Sequence, residues 1–200
     1  AVRADGVRHV TLLASQAVTA AIPHFEGVDE AIPFNAPWLK HEAYAVANES
    51  RRCLEALRTR PFDAAIIFTV YTQSALPAAT LLELAGIPRV LAYSRENPYH
   101  LVTDRIEETE PEREVRHEVV RQLDLVGSVG YRTDNDRLSF CYSDVDRRSM
   151  WRKLKAAGID RQRPFVIVHP GASAPSRRYP AMAFGAAAEL VAHRTHCQIV

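Results

Sequence analysis

The stretch Pro164–Val191, PFVIVHPGASAPSRRYPAMAFGAAAELV, has the form of a buried strand, a polar loop and a helix. Phe165, Val166, Ile167 and Val168 make a short run rich in β-branched residues, which predicts a parallel strand covered on both faces. His169-Pro170-Gly171 ends it. The loop then carries the small residues Gly171, Ala172 and Ser173 and two adjacent guanidinium groups, Arg177 and Arg178, before Pro180 at the predicted first position of a helix. Small residues let a ligand approach the backbone, a helix N-terminus presents unpaired N–H groups, and arginine offers forked donors that match phosphate oxygens. The loop chemistry therefore suits an anion. The stretch is neither GxGxxG nor GxxxxGK[ST], so an ordinary strand–loop–helix connection with surface arginines stands beside the phosphate reading.

Outward from this stretch the chain alternates strand and helix patterns. Strands are predicted over 8–14, 29–34, 63–70 (DAAIIFTV) and 89–93, with a short helix at 16–21. The segment 41–60, with Ala43, Ala47, Leu54 and Leu57 separated by charged residues, reads as an amphipathic helix. A further helix over 74–85 is stopped by Gly86, with Pro88 just beyond. Alternation of this kind predicts an α/β protein with a parallel, doubly wound sheet. The segment 94–111, SRENPYHLVTDRIEETEP, reads as a long irregular loop after a strand, either a ligand-facing segment or a surface excursion. A helix over 112–126 follows, with Val115, Val119, Leu123 and Val126 on one side, and His117 is expected to be structural or capping rather than catalytic. Another helix, 146–157, ends at Gly158, and a new strand begins at 196. The predicted organisation is a Rossmann-like domain over 1–140, a connecting segment with a helix over 141–163, and the start of a second domain over 164–200.

Composition narrows the function classes. A charge of +1 and the lack of a dense Lys/Arg run give no electrostatic case for nucleic acid. Cys53, Cys141 and Cys197 are odd in number and far apart, which predicts reduced core thiols and a cytoplasmic setting rather than a disulfide framework or zinc site. No cluster of His, Cys and carboxylates has metal-ligand spacing, so no metal is expected. No apolar run approaches the roughly 18 residues of a membrane span, and residues 1–6 do not resemble a signal peptide.

In order along the chain, TLLAS, GVDEAI, APW at Ala36–Trp38, FDAAIIF, GIPRVLAYS, HEVVRQLDL and HPGAS with the Arg177-Arg178-Tyr179-Pro180 segment resemble glycosyltransferase family 9, the lipopolysaccharide heptosyltransferase family. Each motif alone is weak, and their order and spacing carry the resemblance. It implies the GT-B architecture, two Rossmann-like domains facing a cleft, the first holding the acceptor and the second a nucleotide-sugar donor such as ADP-heptose. Gly171, Ala172, Ser173, Arg177 and Arg178 would then lie at the donor diphosphate. Arg95, Tyr99 and His100 would be acceptor-side contacts to an anionic sugar. The implied reaction is an inverting transfer of a heptose-type sugar to a lipopolysaccharide core or similar glycan, without metal or cofactor, at a peripheral position on the inner face of the inner membrane. The family's acidic base lies in a Gly-Asp loop expected ahead of Ala1, and a donor segment is expected past Val200. The chain thus resembles a fragment, expected to be inactive alone, and no catalytic residue is named in it. Two other readings stay open: a non-catalytic α/β module that binds a nucleotide or partner, and a sugar-nucleotide epimerase of GT-B type.

Overall fold

The computed structural model describes residues 2, 6–39, 46–172 and 174–200, without the side chains of Val46 and Ala47. The chain forms two compact units, Ala1–Cys141 and Tyr142–Val200. In the first unit the order is β1 (Thr11–Ala14), a 3₁₀ turn (Gln16–His24), β2 (Glu30–Pro33), α1 (Val46–Arg58), β3 (Ala65–Ile67), α2 (Leu76–Ala85), β4 (Val90–Ser94), β5 (Asp104–Glu107) and α3 (Glu118–Gly127). All pairing is parallel: β1 with β2, and β3-β4-β5 in that spatial order. The second unit holds α4 (Asp144–Ala156), β6 (Phe165–Val166), α5 (Ala181–Thr195) and β7 (Gln198–Ile199), with β6 and β7 also parallel.

Strand β4 is the centre of the first unit, since every one of its residues is buried. Its side chains alternate across the sheet as strand geometry requires. Val90 and Ala92 join the main cluster with Cys53 and Leu57 of α1 and Ala79, Leu81 and Leu82 of α2, while Leu91 and Tyr93 pack with Leu125 of α3 on the other face. A strand covered on both faces is what a parallel sheet needs. Burial pushes the Cys53 thiol up to about 11, aided by the nearby Glu49 carboxylate.

Gly86 ends α2 as its sequence position predicts. It adopts φ +80° and ψ +25°, and the Gly86 and Ile87 N–H groups donate to the Glu83 and Leu82 carbonyls at 2.9 and 3.1 Å. A Cβ placed there would meet nothing within 4 Å, so the cost of a side chain is conformational alone. Gly86→Ala is expected to lower stability by about 1–2 kcal/mol, measured by urea denaturation. A loss below a few tenths would mean that the left-handed cap contributes nothing.

Several expectations are corrected. The irregular segment 94–111 contains β5, which extends the sheet on β4 with Leu91 opposite Asp104 and Ser94 opposite Glu107. Its alternating sequence DRIE hides one inward residue, Ile106, among charges. The helix predicted over 112–126 begins only at Glu118, with His117 as its N-cap, its Nδ1 accepting from the Val119 N–H at 3.3 Å. Val115 is therefore outside the helix and exposed, and the inward positions are Arg121, Leu125 and Val126. The strand predicted over 63–70 stops at Ile67, after which Phe68 and Val70 are exposed. Of the helix predicted over 41–60, the described part is α1, while 40–45 lie outside the described residues.

The second unit departs furthest. Only Phe165 and Val166 are in the strand, and Ile167 is 70% exposed where burial on both faces was expected. Within these residues β6 pairs with β7 alone, and Cys197 is the one buried hydrophobic residue of this unit among those described. Helix α4 belongs to this unit and sets Trp151 edge-on to Phe165 at 6.1 Å. It starts with a reciprocal cap in which Ser143 Oγ accepts from the Asp146 N–H at 3.2 Å and Asp146 accepts from the Ser143 N–H at 2.9 Å. Pro180 occupies the N-cap of α5 rather than its first helical position. Cys141 is exposed, unlike Cys53 and Cys197, and its backbone pairs with His24, its N–H donating to the His24 carbonyl at 2.8 Å.

Candidate functional site

Parallel strands β3, β4 and β5 end on one side of the sheet, and a ligand crevice is expected at the carboxyl ends of such strands. A cleft of about 180 Å³ lies there, lined by Tyr71–Ser74 after β3, by Tyr93–Glu96 at the end of β4 and by Glu108 after β5. Its wall is held by a network of charged groups. Arg121, fully buried on α3, donates from Nη1 to the Thr69 carbonyl and from Nη2 to Glu108, and its Nε lies 3.5 Å from Glu110. The same guanidinium lies over the Tyr93 ring, 4.5 Å from its centroid. Gln122 adds a second donor to the Thr69 carbonyl at 3.0 Å.

Arg116 forms the outer half of the network. Its Nε donates to Glu110 at 2.8 Å and its Nη1 to Asp124 at 2.9 Å and to the Tyr93 hydroxyl at 3.3 Å. Tyr93 in turn donates to the Arg121 carbonyl at 3.1 Å. Burial raises the Tyr93 pKa, against the lowering effect of Arg116, so the phenol remains a neutral donor at neutral pH. Two buried carboxylates, Glu108 and Glu110, are thus matched by two guanidiniums, as burial of charge requires. Together these bonds tie the exits of β3, β4 and β5 to α3.

Of the acceptor-side candidates, Arg95 lines the cleft, with Nη2 donating to the Glu110 carbonyl and 3.7 Å from Glu112. Tyr99 is 79% exposed at φ +50°, in a turn where Asn97 Oδ1 accepts its N–H at 3.0 Å. His100 is exposed beside it, and neither borders the cleft. Glu96, which sequence reasoning passed over, does border it and accepts from the Ser74 hydroxyl. That bond, then one from its own backbone N–H, lowers its pKa. Arg116, Arg121, Glu108 and Glu110 were passed over too. The signal lay in HEVVRQL, which puts an arginine at an inward position of an otherwise apolar helix face.

The donor-side candidates lie in the second unit. Gly171 opens the loop under His169, and a Cβ at Gly171 would stand 3.3 Å from the His169 ring. Arg178 Nε donates to the Ala172 carbonyl at 2.8 Å, so this arginine spans the loop. Arg177 closes a 3₁₀ turn, Pro175–Arg177, and is exposed. Ser173 lies outside the described residues. The loop thus sets two cations just ahead of α5. Among the described residues no group of three His, Cys, Asp or Glu side chains could hold a metal ion, and no helix is long and apolar enough to cross a membrane.

The family model for glycosyltransferase family 9 (heptosyltransferase) matches residues 50–200, from α1 through the arginine-bearing loop to the end of the chain. The chain belongs to glycosyltransferase family 9. Two solved structures agree in fold with this family 9 chain. A glycosyl transferase family 9 protein from Veillonella parvula DSM 2008 is similar with a TM-score of 0.73 at 15% identity, over 96% of this chain and 52% of its own. An ADP-heptose LPS heptosyltransferase II from E. coli is similar with a TM-score of 0.62 at 20% identity, over 96% of this chain and 54% of its own. The chain therefore spans about half the length of these relatives. No curated protein sequence matches it. The α/β fold with parallel sheets matches these glycosyltransferase structures, as the GT-B expectation required.

Proposed function

We propose that this family 9 chain supplies the acceptor-side domain and the opening of the donor domain of an inverting glycosyltransferase. The enzyme moves a heptose-type sugar from a nucleotide diphosphate donor, ADP-heptose or a related nucleotide-sugar, to a lipopolysaccharide core or similar glycan. The observation that carries this reading is the family match over residues 50–200, which includes the loop bearing Gly171, Arg177 and Arg178. Transfer needs a carboxylate to take the acceptor hydroxyl proton and donors to offset the charge that develops on the departing diphosphate. Arg177 and Arg178 fit the second task, and the α5 N-terminus adds unpaired N–H groups beside them. The working position is peripheral, at the inner face of a bacterial inner membrane.

The test is product formation, followed by mass spectrometry, from a nucleotide-heptose and a lipid A-type acceptor. It is run on this chain and on a protein of the relatives' length that carries it. A heptosylated acceptor is expected from the longer protein. Release of an isomerised nucleotide-sugar without need for acceptor would replace the transferase by an epimerase. Nucleotide binding without either product would leave a non-catalytic module.

A further inference from the structure

The chain's charge of +1 hides an uneven distribution. Residues 1–141 carry fifteen Lys and Arg against twenty Asp and Glu, whereas residues 142–200 carry ten against four. Five of those ten lie on α4: Arg147, Arg148, Arg152, Lys153 and Lys155. Arg148, Arg152 and Lys155 recur at i, i+4 and i+7 and so share one helix face, while Trp151 packs against Phe165 and holds the helix to its unit. Arg148, Arg152, Lys153 and Lys155 are all exposed, and no ion pair with a described residue engages any of them. The acidic groups of α4 are confined to its first turn, where Asp144 lies 3.7 Å from Arg147 and Asp146 closes the cap. Tyr142 and Val145, 63% and 62% exposed, stand at the same end of the helix, with the Arg147 guanidinium 5.7 Å from the Tyr142 ring centroid.

We infer that the exposed basic face of α4 docks on the surface of a bilayer containing anionic lipids, with Arg148, Arg152 and Lys155 as its main contacts. Anionic headgroups attract Lys and Arg within about a Debye length, which strengthens binding by about fivefold per residue. A helix of 13 residues, about 20 Å long, can lie flat in the headgroup plane. Tyr142 and Val145 supply the amphipathic ring and apolar branch that suit the membrane–water boundary. Because the contact cations have no ion pair to give up, docking breaks none. Single-stranded nucleic acid is the poorer match, since it needs aromatic platforms among the cations and Trp151 is turned to Phe165 with Arg161 over it at 5.0 Å. This face gives a contact to the peripheral position proposed above, and it rests on that position rather than on the transfer reaction.

The test is flotation of this chain with vesicles of phosphatidylcholine alone and of phosphatidylcholine with one quarter phosphatidylglycerol, at about 0.1 M salt. The wild-type chain is expected to favour the anionic vesicles by on the order of a hundredfold, and the triple variant Arg148→Gln, Arg152→Gln, Lys155→Gln to lose most of that preference. Arg148→Lys with Arg152→Lys keeps the charge and should retain binding within about twofold. Arg163→Gln with Arg194→Gln removes exposed cations of the same unit off this helix and should cost less than about twofold. All these side chains are exposed, so an unchanged melting curve shows that each variant is folded. Equal binding to both vesicles overturns the inference, as does a preference unaltered in the triple variant, or a loss per charge as large in the Arg163 and Arg194 variant. Tighter binding to a short DNA duplex, abolished by the same triple variant, would overturn it in favour of a nucleic-acid face. The assay holds neither donor nor acceptor, so heptose transfer by the longer protein stands or falls separately. Anionic binding that survives the triple variant would keep the peripheral position and remove this face, whereas loss of transfer with docking retained would remove the transferase and leave the surface.

Discussion

Arg121→Ala is expected to destabilise the first unit by about 3–5 kcal/mol, the usual cost of removing one partner from a buried ion pair. The side chain is completely buried, and Glu108, which accepts from its Nη2, is 8% exposed. Glu110 keeps Arg116 at 2.8 Å, so Glu108 is the carboxylate left without a cation. The Thr69 carbonyl keeps Gln122, which limits the damage at the exit of β3. Arg121→Met fills the volume but leaves the same bare carboxylate, and it should cost nearly as much as Ala. Adding Glu108→Gln to Arg121→Met removes the buried charge as well and should recover much of the loss, since replacing a whole buried pair is often near neutral. Urea unfolding of the three variants measures this. A loss under about 1 kcal/mol in Arg121→Ala would show that the network is wet and contributes as a surface pair does.

Nucleotide binding should depend as strongly on the paired arginines of the second unit. The double replacement Arg177→Ala and Arg178→Ala is expected to weaken ADP binding by about 1.5–3 kcal/mol for each charged hydrogen bond lost. That is roughly ten- to a hundredfold per bond. The two should differ. Arg178 spans the loop to the Ala172 carbonyl, so Arg178→Ala loosens the loop as well as removing a charge, whereas the exposed Arg177 acts by charge alone. Arg177→Lys should therefore retain more affinity than Arg178→Lys, because an ammonium supplies charge but not the fork that holds a carbonyl and a phosphate together. Isothermal calorimetry with ADP, on the longer protein, decides it. Unchanged affinity in the double variant would leave both residues as solvated surface charges.

The sequence by itself determined the elements whose local code and burial agree. Helix α2 with its glycine stop, the body of α4 within the predicted 146–157 ahead of Gly158, and β4 within a residue of the predicted 89–93 could be read from local pattern because no distant residue had to intervene. The family, too, was legible in the order of short motifs ending in HPGAS. The tertiary structure decided what depends on partners far away in the chain. DRIE shows one apolar residue among charges, and only its parallel pairing with β4 makes it a strand. Glu108, Glu110 and Arg121 look like solvated charges in sequence. They become a buried network because α3 packs Leu125 against Leu91 and Tyr93 and so carries Arg121 onto the ends of β3 and β5.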